Sequence, residues 1–133
     1  MLNDELYALL SGCSALTALV GVRIYPVTAP EDYQYSGPYL IYSRVSNQSE
    51  ESHDGPAGLA RARYQFSAYA KARDGGNMRC RQIAEAIRMG LTAYRGGSIQ
   101  NISHENDLDV FDSETLLHHV PLDLTIVYAE PQP

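Results

Sequence analysis

Long apolar runs are missing from this sequence. No stretch of its 133 residues approaches the roughly 18 uninterrupted apolar positions of a membrane span. The beginning, where Asp4 and Glu5 come early, lacks the basic-then-apolar pattern of a secretion signal. Cysteine is scarce as well. Cys13 and Cys80 stand too far apart for a metal knuckle or a disulfide framework, so both are expected as reduced, buried thiols on helix faces, in keeping with synthesis in the cytoplasm.

Catalytic signatures are also wanting. There is no Gly-x-Ser-x-Gly elbow and no Walker or dinucleotide fingerprint, and the pairs Gly75-Gly76 and Gly96-Gly97 read as helix ends. Glu50, Glu51 and Asp54 cluster, but in a polar stretch with no apolar shell to raise a carboxyl pKa. His118 and His119 adjoin on an expected strand, so their side chains point to opposite faces and cannot share a metal. His104 precedes a carboxylate-rich turn without the spacing of a calcium loop, which reads as a solvated turn. The sequence therefore points to no catalytic residue, no cofactor and no metal site, and to a protein that is not an enzyme.

What is present fits one ordinary globular domain over residues 1–133, with 44% hydrophobic and 20% charged residues. The net charge of −6 argues against a general nucleic-acid binder. Its distribution is uneven. Eight of the ten basic residues and only two acids lie between Arg61 and Arg95, so that segment is +6 and the remainder −12. Such a division suits head-to-tail association, or else neutralisation within the chain.

Leu2, Leu6, Leu9, Cys13, Leu16 and Val20 recur at helical spacing, and Ser11-Gly12 predicts a kink or a break. A short strand over Val22–Tyr25 is stopped by Pro26, and a loop to Pro38 carries the exposed-looking Tyr33 and Tyr35. A strand follows over Tyr39–Val45, with Tyr39, Ile41, Ser43 and Val45 on one face. The polar stretch Ser46–Gly58, with its Asp54-Gly55-Pro56 turn signal, is expected to be a mobile loop. Ala60–Ala70 alternates strictly, setting Ala60, Ala62, Tyr64, Phe66, Ala68 and Ala70 against Arg61, Arg63, Gln65, Ser67 and Tyr69. A second helix buries Cys80, Ile83, Ala84, Ile87 and Leu91. Strands over Ser98–His104 and Leu116–Tyr128 flank an acidic turn, Pro121 marks an edge or bulge, and residues 130–133 form a loose tail. The order α-β-β-β-α-β-β predicts an α+β two-layer sandwich: a mainly antiparallel sheet with two helices on one face.

Arg61 and Arg63 project from the same outer face of one strand. They read either as solubility charges, as a contact strip for an acidic neighbouring surface, or as a sequence-blind contact for DNA phosphates.

The order and spacing of several segments resemble the tail completion proteins of long-tailed phages and prophages, also called tail terminator or tail-to-head joining proteins. These segments are Ala18-Leu19-Val20-Gly21-Val22-Arg23-Ile24-Tyr25-Pro26, Ala29-Pro30 and Pro38-Tyr39-Leu40-Ile41-Tyr42-Ser43-Arg44-Val45. The most specific is His53-Asp54-Gly55-Pro56-Ala57-Gly58-Leu59-Ala60-Arg61-Ala62-Arg63-Tyr64-Gln65, and Leu122-Asp123-Leu124-Thr125-Ile126-Val127-Tyr128 completes the set. The chain has no tryptophan, and Tyr128 stands where that family often has one.

The resemblance implies an α+β subunit of a hexameric ring in the virion, assembled in the host cytoplasm. The ring would cap the last ring of tail tube protein at the head-proximal end, stop tube growth and offer a docking surface to the neck, with DNA only passing through. Its expected subunit contacts join Arg61, Arg63, Arg79, Arg81 and Arg88 of one copy to Asp107, Asp109, Asp112 and Glu114 of the next. Tyr33, Tyr35, Glu50, Glu51, His53 and Asp54 are expected to touch tube or neck. The rival readings are a head-tail connector of the same particle, and a small ligand- or metal-binding host domain.

Overall fold

In a computed structural model, residues 2–30, 33–52 and 55–129 are described. The leucine-rich start breaks at Ser11-Gly12 into two helices, α1 (Leu2–Ser11) and α2 (Ser14–Val20). Three strands follow: β1 (Ile24–Pro26), β2 (Tyr39–Ser52) and β3 (Gly55–Lys71). A single 3-10 turn (Ala72–Asp74) leads into α3 (Gly76–Thr92), then β4 (Ile99–Asp107), β5 (Val110–Asp112) and β6 (Leu117–Ala129). At Gly76 the backbone has φ 54°, and a Cβ there would lie 3.0 Å from the His118 ring, so only glycine lets α3 start this close to β6.

The sheet order is β1-β2-β3-β6-β4, with β5 pairing on β6 beside β4. Every pairing is antiparallel except that of β1 with β2. β3 and β6 run together without a register break from Leu59 opposite Ala129 to Lys71 opposite Leu117. The α+β sandwich expected from the sequence is the observed class, with the first helix split in two and β5 added.

The period-two pattern of β3 sets its faces. Ala60, Ala62, Tyr64, Phe66, Ala68 and Ala70 are buried, as are Val120, Leu122, Leu124 and Ile126 on β6. Onto them pack Leu6 and Leu10 of α1, Leu16 and Val20 of α2, and Cys80, Ile83, Ile87 and Leu91 of α3, in one apolar cluster. Full burial of a side chain such as Phe66 or Ile126 contributes about 1.5–3 kcal/mol. The helices share this side, which leaves the opposite face of the sheet without a helical layer.

Two expectations change. Ser46–Gly58 is not a loop: its described residues belong to β2 and β3, in a hairpin that pairs as far as Ser52 opposite Gly55. Bulges at Arg44/Ser46 and Glu50/Glu51 bend this arm, and Val45 drops out of the ladder. Pro121 lies on an interior strand, opposite Ser67. Its other side faces the gap where β6 changes partner, since β4 pairing ends at Leu122 and β5 pairing begins at His119. A residue without an N–H fits that gap. The tail at 130–133 and the residues His53 and Asp54 fall outside the described residues. Among the described residues no helix is long and apolar enough to cross a membrane.

Candidate assembly surface

The uncovered sheet face begins with β3. Alternation turns Arg61, Arg63, Gln65, Ser67 and Tyr69 away from the helices. Arg63 donates to Asp123 of β6 at 2.7 Å, and Gln65 donates to the same carboxylate at 3.2 Å. Asp123 is only 8% exposed although no helix covers it, because neighbouring strands crowd around it. Its two donors supply what burial of a carboxylate requires. The guanidinium of Arg63 keeps 46% of its side chain exposed, so it offers charge outward while it holds Asp123. Arg61 is exposed one pleat further along the same face.

Aromatic rings cover the other end of this face. Tyr39, Tyr69 and His119 are cross-strand neighbours on β2, β3 and β6. Their rings stack, at 4.9 Å and 11° for the first pair and 4.2 Å and 13° for the second. The segment after β1 folds back over them: Tyr33 lies 4.9 Å from Tyr39 and 5.8 Å from Tyr25. Tyr35 donates to Asp74 at 2.5 Å and accepts from the Lys71 amide at 3.0 Å, with Lys71 and Arg73 over its ring. Arg23 latches the segment by donating to the Pro38 carbonyl at 2.7 Å. It passes so close to Gly37 that a Cβ there would lie 2.9 Å from its guanidinium. Tyr33 and Tyr35, which look exposed in the sequence, are thus half-buried, because packing at a tilt or edge-on against Tyr39 removes apolar ring area from water. Burial pushes both phenols up to about 12, and Tyr39 higher.

The acids expected to reach a neighbouring copy divide into two sets. Arg81 of α3 binds Asp107 at 2.5 Å and Asp109 at 2.7 Å within the same chain. Asn77 donates to Asp109 at 2.9 Å, and His104 meets Asp107 at 2.8 Å. The hydrogen bond from Arg81 holds Asp107 below the usual carboxylate range, and those from Asn77 and Arg81 do the same for Asp109. Arg88 pairs with Glu85 on its own helix. These charges neutralise one another within the chain. Asp112 accepts from the Glu114 amide at 2.9 Å, which lowers its pKa, and among the described residues neither Asp112 nor Glu114 has a cationic partner. Arg79, half-buried against Gly75, has no ion pair among them either. The side chains of Glu50 and Glu51 are not described.

Cys80 is buried in the core, where desolvation pushes its thiol up to about 11, whereas Cys13 is only half-buried. The Nε2 of His119 is buried without a partner among the described residues, and burial lowers its pKa. Among the described residues no three His, Cys, Asp or Glu side chains converge as metal ligands.

One feature was hidden in the sequence. The acidic turn between β4 and β6 also carries Leu108, Val110, Phe111 and Leu116, all exposed. Its only signal was apolar residues interleaved with acids without any period, in Asp107-Leu108-Asp109-Val110-Phe111-Asp112.

The chain is thus a two-layer α+β fold whose second sheet face carries no helix and exposes Arg61 and Arg63. The chain belongs to the family of tail completion protein gp17, which it matches over residues 4–129. It is a phage tail structural protein by family. Its fold is shared with a chain of a solved structure described as the virion of a native gene transfer agent particle: TM-score 0.72, 17% identity, over 92% of this chain and 90% of that one. A search of curated proteins found no match.

Proposed function

We propose that this chain is a non-catalytic ring subunit, hexameric, that caps the head-proximal end of the tail tube. The ring ends tube growth and gives the neck its docking surface. Family membership supports the tail role, and the observation that carries the ring is the uncovered sheet face, where Arg63 is fixed by Asp123 yet half open to water. A rigid charge on an open face reads a neighbouring surface without first having to be ordered. The similar fold in a phage-like particle is consistent with this place in a virion.

The test is native mass at low and moderate salt, followed by addition of the purified protein to growing tail tubes. A species near six chains, weakened by salt, and tubes that stop lengthening support the reading. A stable dimer, or tubes that elongate unchanged, overturns it. Binding to filled heads without binding to tubes would assign the chain to the adjacent connector instead.

A further inference from the structure

Two residues are in the wrong conformation for their type. Val27 has φ 67° and Leu116 has φ 60°, the left-handed region that suits glycine or asparagine. Both are also exposed, at 73% and 60%. A β-branched or bulky apolar side chain gains nothing there from its own backbone, nor from solvent. The two stand at opposite edges of the sheet: Val27 directly follows β1, and Leu116 lies in the turn between β5 and β6.

Their surroundings are complementary. Val27 lines a cavity of about 200 Å3 with Asn3, Pro26, Tyr42, Ser43 and Arg44. Arg44 is exposed and donates to the Tyr64 hydroxyl at 3.1 Å, but it has no acidic partner among the described residues. Leu116 shares its stretch of chain with Val110 and Phe111, also exposed, and with Asp112 and Glu114, two acids without a cationic partner among the described residues; all of these but Leu116 form one wall of a cavity of about 490 Å3 that Tyr69 and His119 complete. One edge thus offers exposed apolar side chains beside two acids, and the other a groove in which Arg44 adjoins Pro26, Val27 and Tyr42, with Asp4 further along it.

We propose that the Val110–Leu116 turn of one copy seats in the Val27–Arg44 groove of a second copy, with Asp112 or Glu114 meeting Arg44. This rests on the ring reading and deepens it by naming the two surfaces. The contact joins unlike surfaces, so it repeats head to tail and closes a ring wherever the rotation allows.

The test uses the full chain. Val27→Asn and Leu116→Asn put a residue tolerant of the left-handed region at each site. Each is expected to unfold at or above the wild-type temperature, while self-association weakens by about tenfold or more. Mixed in equal amounts, the two variants should recover one contact only, giving pairs and no ring. Separately, Val27→Cys mixed with Leu116→Cys under mild oxidation should give mainly the mixed disulfide, the wild type being the control for Cys13 and Cys80. Asparagine variants that associate as the wild type does overturn this contact and leave the ring standing. Cross-linking that favours either cysteine variant with itself also overturns it. A wild type that stays a single chain, with no mixed disulfide, overturns both readings together.

Discussion

Arg81 on α3 grips Asp107 and Asp109 at 2.5 and 2.7 Å, and so ties the end of β4 and the turn into β5 to the helix layer. Opposite charges that the sequence would allow to bridge two subunits are joined here within one. The Val110–Leu116 segment proposed to dock follows directly on this clamp.

Acid should loosen it. A carboxylate whose folded pKa is depressed contributes stability above its unfolded pKa, and that contribution is lost as pH falls through the folded value. Asp107 is depressed chiefly by its hydrogen bond from Arg81, so the clamp should hold at neutral pH, begin to weaken at about pH 4 and fail only at lower pH. Amide exchange in β5 should rise there before global unfolding. In Arg81→Gln the same amides should already exchange faster at neutral pH, with a flatter dependence on acid. Unchanged protection in that variant would sink the clamp.

How far the sequence could be read follows from where each pattern came from. β3 and α3 were legible residue by residue because each lies half on the core, and burial on one face writes a period into the sequence. Arg44–Gln48 are exposed on both faces of the strand, so polar side chains are tolerated on each and no alternation marks it. β5 is three residues long, all exposed, and exists through its ladder to β6. The charges are a harder case. Composition placed +6 in the middle of the chain, but only the sheet register and the position of α3 decide that Arg63 meets Asp123 and Arg81 meets Asp107.

Alkali should release the segment over the open face. Tyr33 and Tyr35 have phenols pushed up to about 12 by burial. A group whose folded pKa is raised contributes stability fully present below its unfolded pKa, near 10, and lost as pH rises toward the folded value. Absorbance titration of the ten tyrosines should show one set ionising near pH 10 and another only toward about pH 12, as the segment detaches. Tyr35→Phe removes the hydroxyl that bridges Asp74 and the Lys71 amide, and should make the segment around residues 33–38 easier to cleave by protease. A single transition near pH 10 would remove the aromatic cover from the account.

The alanine row on β3 sets how close the helices lie. Ala62 and Ala68 are fully buried between neighbouring strands and the helix layer. Ala68→Leu should overpack that layer and cost about 1–3 kcal/mol in chemical denaturation. Phe66→Ala, which empties a fully buried site, should cost about 3–5 kcal/mol. If Ala68→Leu leaves the denaturation midpoint where it was, the row is looser than the packing described.

Reversing charge on the open face confuses two effects, because Arg63→Glu would set a second carboxylate against the nearly buried Asp123. Arg63→Gln separates them. Its amide keeps a donor for Asp123 beside Gln65 while the outward charge is lost. Half of the Arg63 side chain is solvated, so the change should alter stability by no more than about 1 kcal/mol. Association should suffer more than folding, and most at low salt, where an unscreened guanidinium steers a neighbouring acidic surface. Equal association of Arg63→Gln and wild type across the salt series would make Arg63 a fixture of Asp123 alone, and the partner of this face would then have to be sought in its neutral residues.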